Sequence, residues 1–274
     1  MAKKQERSRK KGKKKKSGLL SNLILILAVC VFVFSGYQLY QIFAEYHEGK
    51  KEYEEIRELV IQEEPKKETE EEKEPEVQPR FTVDFATLQQ MNPDTVGWIR
   101  FEEPSEISYP VVKGRDNEEY LTRTFEANDN KLGTLFVYKD NTGTFTDRNT
   151  IIYGHNMKNG TMFATLLKYA QKEFWREHPV IQFDNLYEEN MYEIIGAFYS
   201  KAYLQEESGV FKYYQYPDLS TPELFDEYYA QVKKASLYDT GIEAEFGEQL
   251  LTLSTCSYHV KDGRFVVVAR KMRN

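Results

Sequence analysis

The hydrophobic pattern divides the chain into three unequal stretches. Residues 18–40, GLLSNLILILAVCVFVFSGYQLY, carry no charge, and a run of that length is enough to cross a bilayer core as a helix. Residues 41–80 have few apolar positions. Within them YHEGKKEYEEIREL reads as the continuation of a charged helix, and IQEEPKKETEEEKEPEVQPR is a Glu/Lys/Pro tract with almost nothing to bury. Such a composition cannot offset its ordering entropy, so 41–80 is expected to be an extended, solvated stalk. From residue 81 to 274 the chain turns aromatic and β-branched, punctuated by Gly, Asn and Asp, and is long enough for one domain with a proper core.

Inside that domain the period alternates between strand and helix. FATLQQM predicts a short helix closed by Asn92-Pro93, followed by a strand through Trp98, Ile99 and Phe101. SYPVV predicts a short strand with a proline at its edge. GTLFVY and NTIIYGH are apolar runs ended by turn residues and predict buried strands. GTMFATLLKYAQKEFWREHP places Met162, Phe163, Leu166, Leu167, Ala170 and Phe174 at helical spacing, and His178-Pro179 stops it. VIQFDN, NMYEIIGAFYS, QLLTLSTC and RFVVVARK predict strands, and a turn at Asp262-Gly263 joins the last two. PDLSTPELFDEYYAQVKKASLY predicts a helix beginning near Ser220 or Thr221, with Pro222 in its first turn. Many strands without βαβ alternation indicate a mostly antiparallel barrel or sandwich with helical insertions.

Charge and cysteine content then set the compartment. Residues 1–17 hold ten Lys or Arg against one Glu, and such a cluster before an apolar span keeps its own side cytoplasmic. The domain is therefore expected outside the membrane. A cleaved signal peptide is the competing reading; the run is long for an h-region and its small-residue cleavage pattern is weak. The formal net charge of −7 comes partly from the stalk and says little about a partner of the folded part. No basic, aromatic-striped segment suggests nucleic acid. Neither HExxH nor paired CxxC occurs, and DNTGTFTD at 140–147 lacks the spacing of a calcium loop, so no metal and no cofactor are expected.

The two cysteines cannot meet, because Cys30 lies within the apolar span and Cys256 in the outer domain. A lone thiol outside the cytoplasm is either a small buried hydrophobe or a reactive group. Its neighbours favour the second. His155 ends the strand-like IIYGH, and Arg264 opens the strand eight residues after Cys256. If those strands form a hairpin, thiol and guanidinium lie near one sheet edge. A cation favours the thiolate, which is the stronger nucleophile. A guanidinium also hydrogen-bonds an oxyanion, and an imidazole can protonate a leaving amine. His259 reads as solvent-facing in the loop SYHVKDG, and His178 and His47 as structural or idle.

TLSTC at 252–256 resembles the TLxTC signature of the sortases, and DTVGWIRF, YPVVKGRDNEEYL, NTIIYGHNMKNGTMF and GRFVVVARK follow the order of a class B sortase from about residue 82 to the end. The resemblance implies the eight-stranded sortase β-barrel with N-terminal helices and helical insertions, preceded by one transmembrane helix. It implies a cell-surface transpeptidase in which Cys256, His155 and Arg264 are catalytic and Asn117, Leu121, Ser254 and Thr255 line the substrate site. The implied partners are surface proteins bearing a C-terminal sorting motif and an amine of a cell-wall precursor. Two other functions fit the bare residues: a papain-like cysteine peptidase or amidase, and a catalytically silent membrane-anchored binding module. SKAYLQEESGVFKYYQY at 200–216 does not align with the family residue by residue.

Overall fold

The computed structural model describes residues 15–63, 81–101 and 107–273. The basic segment before residue 15 and the tract 64–80, called part of a stalk above, lie outside the described residues. The chain forms two compact units, Met1–Glu45 and Tyr46–Asn274. The first is described from residue 15 as the N-terminal part of a long helix, α1 (Lys15–Val60), and its apolar side chains, among them Leu23, Ile24, Phe32 and Phe43, are exposed. This helix is long and apolar enough to cross a membrane.

The second unit begins on the same helix, which departs from the expected stalk. Tyr53, Ile56 and Val60 are buried in the domain core, and the chain runs on into β1 (Ile61–Glu63), which pairs antiparallel with β2 (Phe81–Val83). Glu63 and Phe81 are register partners in that pair. The physical reason is a narrow apolar stripe at 46, 49, 53, 56 and 60, three and four residues apart, which faces one way on a helix despite the charges between. The domain therefore starts near Tyr46, and a fragment cut at residue 81 would lack part of its core.

Eight strands close into the barrel: β3 (Thr95–Phe101), β4 (Ser108–Val112), β5 (Leu135–Val137), β6 (Asn149–Gly154), β7 (Val180–Asn185), β8 (Met191–Lys201), β9 (Leu250–Cys256) and β10 (Gly263–Lys271). Their order round the barrel is β10-β8-β7-β3-β4-β5-β6-β9. The β4–β5 and β6–β9 pairs are parallel and the rest antiparallel. Pro110 lies inside β4, opposite Trp98 of β3 and just before Val111, where the β5 pairing starts, a place that does not need its missing donor.

The expected helices form with one change. α2 (Phe85–Met91) is capped by Asp84, whose carboxylate accepts from Thr87 N at 3.0 Å. Between β6 and β7 the expected single helix is a 3-10 helix at Phe163–Ala170, a break at Gln171, and α3 (Lys172–Glu177). Phe163, Leu166 and Tyr169 are all buried, and their spacing of three matches a three-residue turn. α4 (Pro222–Ala235) starts where Thr221 accepts from Leu224 N.

The run FVVVA follows from burial on both faces of β10. Phe265, Val267 and Ala269 point into the barrel core, while Val266 and Val268 join an outer cluster with Phe225, Tyr228 and Val232 of α4. Strand β9 shares this layering. Leu251 and Leu253 face the core, and Thr252 and Ser254 lie on the other face. Both hydroxyls are fully buried, so each needs a partner: Tyr228 Oη lies 2.7 Å from Thr252 Oγ1, and Tyr213 Oη 2.7 Å from Ser254 Oγ.

Candidate active site

Cys256 is the next residue of that outer-facing set, at the point where β9 ends. The β9–β10 hairpin places it directly opposite Arg264, and Asp262 makes the turn with φ 56°, a conformation Asp tolerates better than most side chains. The neighbouring parallel strand β6 ends at Gly154, level with Thr255, so that His155 leaves the sheet beside the thiol-bearing edge. Asn156 Nδ2 donates to the Cys256 carbonyl at 3.0 Å, which ties the two strand ends together.

The imidazole of His155 is held by the chain itself. Its Nε2 lies 2.6 Å from the Leu121 carbonyl oxygen. A carbonyl can only accept, so this bond puts the proton on Nε2 and leaves Nδ1 as the nitrogen free to exchange one. Arg264 Nη1 donates to the backbone carbonyls of Gly263 at 3.0 Å and Asp262 at 3.4 Å. Among the described residues no carboxylate pairs with it. A cavity of about 390 Å³ opens over these groups and is lined by all seven residues singled out in the sequence: Asn117, Leu121, His155, Ser254, Thr255, Cys256 and Arg264.

The Sortase domain family model matches residues 102–272 of the chain, which is more than half of it. The chain belongs to the sortase family. It is 34% identical to Sortase B of Listeria monocytogenes over 182 residues, covering 66% of this chain and 70% of that one. Among solved structures, sortase B of Bacillus anthracis superimposes with a TM-score of 0.68 at 30% identity, covering 85% of this chain and all of the other. The Staphylococcus aureus sortase B–substrate complex gives a TM-score of 0.60 at 28% identity, over 69% of this chain and 84% of that chain. These likenesses identify a class B sortase, a cysteine transpeptidase on the eight-stranded barrel.

In this sortase the four residues read as substrate-lining have distinct local engagements. Thr255 donates through Oγ1 to the Gly154 carbonyl at 2.8 Å, a bond that fixes the residue before His155. Ser254 is engaged by Tyr213. Asn117 Oδ1 accepts from Lys139 N at 2.8 Å. Leu121 offers its backbone to His155 and a partly exposed side chain to the cavity.

Sequence reasoning missed the aromatic wall: Phe136, Tyr138, Tyr153, Tyr203, Tyr213 and Tyr214. Three of these, Phe136, Tyr138 and Tyr153, come from apolar strand patterns that pointed only to burial, and three from the segment that did not align. The signal was composition, since the chain has 20 tyrosines. Burial pushes the Tyr213 phenol up to about 12, against the opposing pull of its Ser254 bond and the Arg264 charge. Burial also raises Tyr153 well above the ordinary phenol range. Both stay neutral at physiological pH and leave Arg264 as a cation in an uncharged wall.

Gly154 places His155 by close approach. A Cβ there would overlap the Leu135 side chain and come within 2.7 Å of the Phe163 ring. Gly154→Ala is expected to lower stability by about 1–3 kcal/mol through overpacking and to shift the β6 end. Thermal unfolding checks the first effect. Peptide turnover falling further than the lost folded fraction checks the second.

Proposed function

We propose that this sortase cleaves a C-terminal sorting motif after its threonine and passes the new carboxyl end to an amine of a cell-wall precursor. The thiol of Cys256 gives its proton to Nδ1 of His155, the resulting thiolate attacks the threonine carbonyl carbon, and the carbonyl π electrons move onto the oxygen as an oxyanion held by the Arg264 guanidinium. His155 gives its Nδ1 proton to the departing amine, so the C–N bond breaks and a thioester to Cys256 remains. The incoming amine attacks that thioester and gives up a proton to Nδ1, and the thiolate leaves with the C–S bond electrons. The observation that carries this reading is the cross-strand pair Cys256–Arg264 in one cavity with an imidazole held through Nε2.

The uncharged aromatic wall suits an extended, neutral peptide, and the related Staphylococcus aureus enzyme has a solved structure as a substrate complex. In the same reading, α1 anchors the enzyme in the membrane with the basic N-terminus in the cytoplasm and the barrel outside.

The test is a set of quenched fluorogenic pentapeptides of the NPxTx, SPxTx and LPxTx types, offered to the full chain in detergent with and without triglycine. Cleavage after Thr with a triglycine adduct supports transfer and names the motif. Cleavage with water as the only acceptor at saturating amine would instead favour a peptidase.

A further inference from the structure

The part of α1 that joins the barrel domain does more than fill its core. Glu52 and Tyr53 are almost completely buried, 9% and 2% exposed, and both are spent on one loop, residues 113–134 between β4 and β5. The Glu52 carboxylate accepts from Glu126 N at 3.0 Å and from Asn128 Nδ2 at 3.1 Å. The Tyr53 hydroxyl donates to the Gly133 carbonyl at 2.5 Å, lies 3.0 Å from Thr134 Oγ1, and accepts from Phe125 N at 3.3 Å. Two adjacent helix residues thus hold the middle of the loop and its return limb.

That return limb lies against the peptide that holds the histidine. Thr134 donates through its N–H to Tyr120 O at 3.0 Å and through its hydroxyl to Arg123 O at 2.8 Å. Gly133, at φ +59°, approaches so closely that a Cβ there would sit 2.5 Å from Tyr120 O and 2.7 Å from Leu121 O. The Leu121 oxygen is the atom that accepts from His155 Nε2. A line of contacts therefore runs from Tyr53 to Gly133, from Gly133 to the Leu121 carbonyl, and from there to the imidazole. Each link is a hydrogen bond or a close backbone approach, which tolerates little displacement.

We propose that Glu52 and Tyr53 are positioning residues for His155, setting the 113–134 loop so that the Leu121 carbonyl fixes the tautomer and place of the imidazole. The proposal rests on His155 being the proton carrier, and it assigns part of the catalytic geometry to a helix that contributes no residue to the cavity lining.

The experiment uses the full chain in detergent micelles with 15N-labelled histidine. The chain has four histidines, and a His155→Gln variant assigns the resonance. Tyr53→Phe removes the hydroxyl and keeps the ring; Glu52→Gln removes the charge and keeps the shape. In either variant the Nε2–H signal of His155 is expected to move and exchange faster with water, and its titration to shift from that of the parent. With a cleaved peptide, kcat is expected to fall between about tenfold and a hundredfold, with KM changed less than about twofold. A lowered unfolding midpoint with unmoved His155 resonances, titration and kcat would overturn the proposal. If Tyr53→Phe does not fold, Glu52→Gln decides alone. Failure to find any cleaved peptide would count against the transpeptidase mechanism and not against this inference, since the histidine spectra are read without substrate.

Discussion

Cys256→Ala abolishes peptide cleavage and amine transfer while leaving the barrel folded. The expected loss in kcat is at least about ten-thousandfold, the size seen when a covalent nucleophile is removed. The fold tolerates the change because Cys256 is only half buried at the end of β9 and has no disulfide partner. What binds β9 to β10 and β6 is backbone pairing from Leu250 up to this position. Circular dichroism and thermal unfolding of the variant should match the parent within a few degrees. Cleavage after Thr that survives in the folded variant would remove Cys256 from the mechanism. A binding function left whole in the same variant would instead favour the silent anchored module.

Arg264→Lys is expected to lower kcat by about a hundredfold, the usual cost of losing one oxyanion donor. The substitution keeps the positive charge and the strand, so it separates charge from geometry. Lysine offers a compact ammonium, whereas the guanidinium fork can hold the oxyanion while still bonding the Gly263 carbonyl. Little stability should be lost, since no carboxylate among the described residues depends on Arg264. Steady-state kinetics beside a thermal melt decides the matter. Turnover close to the parent's would mean that a positive charge anywhere near the thiol suffices, or that another donor serves the oxyanion.

The site was legible in the sequence where it is built from strand ends. TLSTC, a turn at Asp262-Gly263 and Arg264 form a local unit, and hairpin pairing alone sets Cys256 opposite Arg264, both at the cavity. The same holds for IIYGH, whose apolar run shows where β6 stops. The barrel was legible too, because FVVVA and TIIY carry the continuous apolar pattern of strands buried on both faces. Contributions from distant segments were less visible. Tyr203, Tyr213 and Tyr214 reach the cavity from a segment with no strand or helix period, and nothing local says which cavity they line.

Residues 46–60 hid for a different reason. Their apolar positions are few and flanked by Glu and Lys, so average composition reads as a solvated helix. The stripe of Tyr53, Ile56 and Val60 decides the packing, and it is visible only when spacing outweighs composition. The 3-10 helix at Phe163–Ala170 shows the converse. Its apolar spacing was plain, and the choice between a three-residue and a 3.6-residue turn was settled by which side chains the barrel buried.

The proposed reaction passes through a thioester on Cys256. The most direct measurement is intact-protein mass spectrometry of the full chain, mixed with a cleaved pentapeptide and quenched in acid, then repeated after addition of triglycine. The expected result is a mass increase equal to the acyl fragment ending in Thr, mapped to Cys256, which disappears on addition of triglycine as the peptide–triglycine product forms. Unmodified enzyme throughout rapid turnover, with product formed only by direct hydrolysis and no adduct at any quench time, would contradict it.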